Sequence, residues 1–189
     1  MDIRLFLAFE LPEEIRGILD TVSKEAGKLP LNVRWVRVEN IHLTVVFIGN
    51  VEESNVSRVE EVARLCCGKS HAFELALHGL GFFGNIRNPR VLWVGLNTDV
   101  KGMSHLRDDL QGGLAPFGLK KETRPFRPHL TLGRFKKGVG SVEHLKGFLA
   151  QYRELTSPVG TLSELALFRS DLRKDGAVYT KMNRWSLGE

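Results

Sequence analysis

The segment NIHLTVVFIG, residues 40–49, decides how this sequence folds. It is rich in β-branched and aromatic residues, and we predict a strand over Ile41–Ile48. Residues two apart on a strand point to the same face, so His42 and Thr44 share one face and the leucine and valine that follow each of them lie on the other. The segment therefore predicts a strand with one polar and one apolar face.

The tripeptide His-Leu-Thr occurs again 87 residues later, at positions 129–131. Two further matches share this offset: Leu5–Phe9 on Leu92–Leu96, and Ser54 on Ser141. Three separate matches at one offset indicate a duplicated unit rather than a short-period repeat. We predict one bilobal domain over residues 1–189, with pseudo-repeat halves at about 1–86 and 87–189.

Hydrophobic periodicity predicts the same order in each half: strand, helix, strand with His-Leu-Thr, helix, strand. The predicted strands are Ile3–Glu10, Val33–Val38, Ile41–Ile48, Phe73–Phe82, Val91–Leu96, His129–Phe135, Leu162–Arg169 and Ala177–Trp185. The predicted helices begin near Pro12, after Ser54 as N-cap, at Asp99, and after Ser141 as N-cap.

Two groups of glycine-containing residues predict turns. Lys174-Asp175-Gly176 predicts the turn of a hairpin made by the last two strands. Gly79, Gly81 and Gly84 predict a turn at the end of a strand. The fold class is α+β: two pseudo-symmetric lobes of antiparallel sheet with flanking helices, whose His-Leu-Thr strands face a central cleft.

A pseudo-two-fold arrangement brings His42 and His129 face to face, with Thr44 and Thr131 beside them. In-line displacement at phosphorus needs a base on the attacking oxygen, an acid on the leaving oxygen and hydrogen-bond donors on the non-bridging oxygens. An ordinary imidazole pKa of about 6.5 allows one histidine to be neutral and the other protonated. We predict these four residues to be catalytic on a phosphodiester, and the residues alone leave open which histidine is the acid.

Basic residues cluster around the second tripeptide. The chain has 27 lysines and arginines against 22 acids, and residues 120–137 contain seven of these basic residues beside one acid, Glu122. A cluster of this kind next to a cleft attracts phosphate-bearing ligands, whereas elsewhere it is only a solvated face. Arg127 and Arg134, which flank the tripeptide, are predicted to add positive charge for the phosphate.

Several other classes of protein are poorly supported. Cys66 and Cys67 are adjacent, a spacing at which disulfides rarely form, and this favours a reducing compartment. The sequence has no signal-like or membrane-spanning apolar segment, no metal-binding spacing, no P-loop and no Gly-x-Ser-x-Gly elbow. We predict a cytoplasmic monomer that binds no membrane and needs no metal or other cofactor.

These residues resemble the 2H phosphoesterases, which are named for two His-x-Thr/Ser motifs, and within them the bacterial and archaeal RNA 2′,3′-cyclic phosphodiesterases, also called 2′-5′ RNA ligase-like proteins. The resemblance is carried by RLFLAFELP (4–12), NIHLTV (40–45), FRPHLTLGR (126–134) and the ending from Ser170 through Tyr179 and Trp185. It implies the bilobal α+β fold and hydrolysis of a 2′,3′-cyclic phosphate to a 2′-phosphate.

The resemblance also implies roles for individual residues. His42 is expected to be the proton donor and His129 the proton acceptor, and Arg127, Arg134 and Tyr179 are expected to bind substrate. We therefore predict a metal-independent phosphodiesterase acting on RNA ends or nucleotides, with the reverse 2′-5′ ligation allowed by microscopic reversibility.

Two alternatives remain open at this point. The first is the same chemistry on a small cyclic nucleotide or an ADP-ribose cyclic phosphate, and the second is an RNA-binding module that retains the cleft without turnover. Turnover of a simple cyclic nucleotide distinguishes an enzyme from a binding module. Dependence of the rate on RNA length distinguishes an RNA substrate from a small one.

Overall fold

The computed structural model describes residues 2–117, 119, 121–173 and 176–188. Within these residues the strands are β1 (Asp2–Phe9), β2 (Val33–Trp35), β3 (Leu43–Glu52), β4 (Phe73–Asn85), β5 (Asn88–Thr98), β6 (His129–Phe135), β7 (Gly160–Leu162), β8 (Glu164–Arg173) and β9 (Gly176–Ser186). The α-helices are α1 (Glu13–Gly27), α2 (Val56–Cys67), α3 (Val100–Leu114) and α4 (Val142–Gln151). None of the helices in this part of the chain is both long and apolar enough to cross a membrane.

The strands form two antiparallel sheets, in the orders β3-β1-β8-β9 and β2-β6-β5-β4-β7. Strand β4 comes from the first half of the chain but pairs with β5, and β8 comes from the second half but pairs with β1. Each sheet therefore contains strands from both halves. The predicted α+β class, with antiparallel sheets and flanking helices, is confirmed. The equivalence of the two halves stays a prediction.

One face of each sheet packs into a single apolar core with the helices. In α1 the residues Ile15, Leu19 and Val22 recur at helical spacing and are at most 1% exposed. Burying a side chain of this size contributes about 1.5–3 kcal/mol each. The helices thus fix the sheets from one side and leave the other side available for a site.

The opposite face of the four-stranded sheet carries a second, smaller apolar cluster. Its members are Phe6 and Ala8 of β1 together with Ala166 and Phe168 of β8, and Tyr179 of β9 packs against them. Phe6 pairs with Phe168 and Ala8 pairs with Ala166, so all four side chains project from the same face. This face lines the candidate site.

Of the two predicted serine caps, one is confirmed and one is wrong. The Ser141 hydroxyl accepts a hydrogen bond from the backbone N–H of His144 at 3.3 Å and caps α4. The N-cap of α2 is Asn55 rather than Ser54. The chain enters α2 through a 3₁₀ turn, Glu53–Asn55, which places Ser54 inside helical backbone, whereas an N-cap residue stands outside it.

The predicted turn at Gly79, Gly81 and Gly84 is wrong, because all three glycines lie inside β4. Gly79 and Gly84 have φ of 60° and 104°, and the pairing of β4 with β5 is irregular at both. A Cβ on Gly81 would meet the indole of Trp93 at 2.2 Å. Gly79 and Gly84 thus permit bulges in β4, and Gly81 permits the close approach of the Trp93 indole to the strand.

The predicted C-terminal hairpin is present, and β8 pairs with β9 from Glu164 to Arg173. Lys174 and Asp175 of its predicted turn lie outside the described residues. Leu162 was expected to begin this hairpin but belongs to β7, which pairs with β4 at the edge of the other sheet. Strand β2 is shorter than predicted, because a 3₁₀ turn forms at Val38–Asn40.

Candidate active site

The two histidines are held by matching hydrogen bonds. His42 directly precedes β3, and its Nδ1 lies 2.8 Å from the carbonyl oxygen of Asn40. His129 begins β6, and its Nδ1 lies 2.7 Å from the carbonyl oxygen of Arg127. A carbonyl oxygen can only accept, so each Nδ1–H donates to it. Each imidazole therefore leaves its Nε2 for chemistry, and a neutral ring presents that atom as a proton acceptor.

Thr44 and Thr131 follow two residues along the same strands. Thr44 pairs with Ala8 of β1, and Thr131 pairs with Trp93 of β5. The residues that alternate with them are buried: Leu43, Val45, Leu130 and Leu132. Each threonine therefore shares the face of its histidine, as the alternation in the sequence predicts.

Three aromatic rings surround the His42 imidazole. Phe6 stacks on it with ring centroids 4.8 Å apart and an angle of 25° between the planes. Phe168 lies at 6.3 Å and is nearly parallel. Tyr179, expected from the resemblance to bind substrate, meets the imidazole edge-on at 5.3 Å. The structure thus brings Tyr179 next to His42.

His129 has aromatic neighbours of a different geometry. Phe83 of β4 lies edge-on at 4.9 Å, and Trp93 lies at 6.5 Å with an angle of 61°. Trp93 and Phe6 stand 87 residues apart within the two matched segments. No role for these rings was predicted from the sequence, although the offset that pairs the histidines also pairs Phe6 with Trp93.

The surroundings lower the pKa of both imidazoles. Burial is the largest cause at His42 and at His129; the bond to the backbone carbonyl raises each pKa, and the charge of Arg134 lowers each further. The neutral ring, which is the form a general base needs, is thereby favoured. The charge of one side chain, Arg134, lowers the pKa of both His42 and His129, although this side chain is exposed.

The basic segment is largely exposed. Arg127, Lys136 and Lys137 all reach solvent, and Arg124 pairs with Glu122. Lys120 lies outside the described residues. A ligand contact by the arginine and lysine side chains of this segment stays a prediction.

A small polar cavity of about 190 Å³ opens beside His42. Its walls include Asn40, Tyr179 and the ion pair between Lys181 and Glu10. This ion pair could not be predicted from the sequence because its two members are far apart in the chain. Across residues 2–117, 119, 121–173 and 176–188, no group of three or more histidine, cysteine, aspartate or glutamate side chains is arranged to hold a metal ion.

Comparison with known proteins assigns the class. A family model described as the 2′-5′ RNA ligase superfamily matches residues 6–174, so the chain belongs to that superfamily. The resemblance to 2H phosphoesterases that the two His-Leu-Thr motifs carry is thereby confirmed.

Individual relatives match over nearly their whole length. The RNA 2′,3′-cyclic phosphodiesterase of Methanothermobacter thermautotrophicus is 32% identical over 187 residues, covering 99% of this chain and 100% of the relative. The protein of the same name from Escherichia coli K12 is 30% identical, covering 97% and 96%. The crystal structure of TT0787 of Thermus thermophilus is 26% identical, with a TM-score of 0.82 and coverage of 99% and 100%. That of E. coli LigT complexed with 3′-AMP is 26% identical, with a TM-score of 0.76 and full coverage of both chains.

Proposed function

We propose that this protein hydrolyses the 2′,3′-cyclic phosphate at RNA ends to a 2′-phosphate, using two histidines and no metal. The observation that carries the proposal is the matched pair of Nδ1–carbonyl bonds at His42 and His129, which leaves two Nε2 atoms for proton transfer. The names of the full-length relatives support the same activity.

In the proposed reaction His129 takes a proton from water as the water oxygen bonds to phosphorus. The bond from phosphorus to the ribose 3′ oxygen breaks, and His42 donates its proton to that oxygen. The hydroxyls of Thr44 and Thr131, on the same faces as the histidines, donate to the two non-bridging oxygens, where charge increases in the transition state. Solvent exchange then returns both histidines to their starting protonation states.

The acid role of His42 needs a protonated ring at a site that favours the neutral one. The substrate itself supplies the compensation, because a bound phosphate anion raises the pKa of a nearby imidazole. Arg134, whose charge lowers both pKa values in the free protein, faces the same anion once substrate is bound. Binding of the cyclic phosphate therefore prepares the site for catalysis.

Joining of RNA ends uses the same groups. If the 5′ hydroxyl of a second RNA replaces water, His129 takes its proton as its oxygen bonds to phosphorus. The bond from phosphorus to the 3′ oxygen breaks, His42 donates a proton to that oxygen, and a 2′-5′ bond results. Cytoplasmic location and a monomeric state stay predictions.

The test is hydrolysis of a short RNA that ends in a 2′,3′-cyclic phosphate, with the product located by phosphorus NMR. We expect a 2′-phosphate. His42→Ala and His129→Ala should each fold and lose about 10²- to 10⁴-fold in rate, as loss of a general acid or base does. A 3′-phosphate product contradicts the donor and acceptor assignment. More than about a tenth of the activity remaining in either variant contradicts the two-histidine mechanism.

A further inference from the structure

A second and larger cavity, of about 480 Å³, opens beside His129. Gly95 lines it and is the cross-strand neighbour of His129, and Pro128, which precedes this histidine, lines it too. The cavity therefore adjoins the proposed catalytic site. Its volume lies within the usual range for pockets that bind organic ligands.

The chemistry of this cavity suits a nucleobase attached to a phosphate. Trp93 and Phe126 provide aromatic surface, and Arg127 and Arg153 provide guanidinium groups. Of the described residues that line the cavity, none is acidic. Bases stack on aromatic side chains regardless of their identity, and arginines attract the phosphates between them. Arg153 touches Glu154 at 3.6 Å, but both side chains are more than 80% exposed, so this ion pair is weak.

The cavities beside the two histidines occupy related positions but differ in chemistry. Residues 39–41 line the one at His42, and residues 126–128, at the same offset of 87, line the one at His129. The cavity at His42 is smaller and is lined by both acidic and basic side chains. Only the cavity at His129 combines aromatic surface with unopposed positive charge on its described lining. A nucleobase with its phosphate is therefore expected there.

The wall formed by Phe126 is held in place before any ligand binds. Arg107 of α3, only 9% exposed, donates to the carbonyl oxygen of Arg124 at 3.0 Å and lies over the Phe126 ring at 5.5 Å. Gln111 of the same helix accepts from the backbone N–H of Glu122 at 2.7 Å. A wall that is already ordered loses little conformational freedom on binding, which favours affinity.

We propose that this cavity binds the base of the second nucleotide from the cyclic end of an RNA strand, and that Arg127 and Arg153 contact the phosphodiester joining the last two nucleotides. The inference rests on the proposed function and deepens it, since it makes an RNA oligomer the preferred substrate over a cyclic mononucleotide. The terminal ribose lies between the histidines, and the strand continues past His129 into the cavity.

The experiment compares a 2′,3′-cyclic mononucleotide with a dinucleotide that has the same terminal base and the same cyclic phosphate. The expected kcat/KM is about tenfold higher for the dinucleotide, the size of effect that stacking of one base produces. A dinucleotide that lacks the second base should lose most of this preference. Arg153→Glu should lower kcat/KM for the dinucleotide by about tenfold and that for the mononucleotide much less.

Lys146→Glu is the matched control, since Lys146 is an exposed cation on α4 that does not line the cavity. It makes the same charge change and should leave the preference intact. Equal kcat/KM for the two compounds in the unchanged protein overturns the subsite and leaves the proposed function standing. If neither compound is hydrolysed, the proposed function fails. In that case equilibrium binding of the two compounds tests whether the second base has a binding site, and equal affinities overturn the proposed subsite.

Discussion

Replacing Gly81 by alanine tests the packing that surrounds His129. A Cβ at this position would lie 2.2 Å from Cη2 and 2.3 Å from Cζ2 of Trp93. Carbon atoms normally approach to about 3.5–4.0 Å, so the indole has to move by about 1.3–1.8 Å. Gly81 has an ordinary φ, which alanine adopts without strain. The effect of the substitution therefore comes from the ring and not from the backbone.

Phe83 and His129 border the indole, with ring centroids 5.4 Å and 6.5 Å from its own, so a shift of the indole disturbs the packing around His129. Overpacking of this kind costs about 1–3 kcal/mol of stability. At about 2–4 °C of Tm for each kcal/mol in a chain of this size, we expect Tm to fall by about 2–12 °C. A catalytic group displaced by about 1 Å loses about 10²-fold in rate. We expect a loss of about 10- to 100-fold in kcat/KM, since the ring neighbours His129 but does not itself transfer a proton.

Thermal unfolding and hydrolysis of a cyclic mononucleotide measure both effects. Gly147→Ala is the control, because a Cβ on this exposed helical glycine meets nothing within 4 Å, and it should stabilise the protein by about 0.4–1 kcal/mol. In a Trp93→Leu background the clash is absent, and Gly81→Ala should then have little effect on Tm. The reasoning is refuted if Gly81→Ala leaves Tm and activity unchanged, or if it destabilises both backgrounds equally.

Three further predictions concern charge, pH and metal ions. Arg134→Ala removes a charge that lowers the pKa of His42 and His129, so the pH–rate profile should move to higher pH; Arg34→Ala, on the adjacent strand, should leave it in place. Burial lowers the pKa of both histidines below 6.5, so the unfolded chain binds more protons than the folded one at acid pH. Tm should therefore decrease as the pH is lowered from about 8 to about 5. The decrease should be smaller in a variant with both histidines replaced by asparagine. Hydrolysis should persist in EDTA, and a loss that a divalent cation restores would contradict the metal-independent mechanism.

The face that carries His42 and Thr44 could be predicted from the sequence because the alternation of side chains along extended backbone determines it. Two copies of His-Leu-Thr at one offset, each alternating with buried residues, place His42 and Thr44 on one face whatever the strand pairs with. The strand β1 and the helix α3 also follow from local pattern; α3 was predicted to begin at Asp99, and Asp99 is its N-cap. These features depend on residues close together in the chain.

Features that depend on distant partners could not be predicted. The role of Gly81 becomes visible only when β5 places Trp93 against it. Phe168 reaches His42 because β8 pairs with β1, a contact between residues 126 positions apart. The exchange of β4 and β8 between the sheets likewise follows from packing of the whole chain, and no local signal marks it.

The surroundings of His42 support its proposed role as proton donor. Both rings are fixed in the same way by a carbonyl two residues earlier, which leaves the Nε2 of each for proton transfer. His42, however, stacks face to face on Phe6, and the negative face of an aromatic ring attracts a cation. Stacking on Phe6 therefore favours the protonated form of His42 and opposes the burial that lowers its pKa. This contact supports the proposed proton donor on grounds that do not depend on family resemblance.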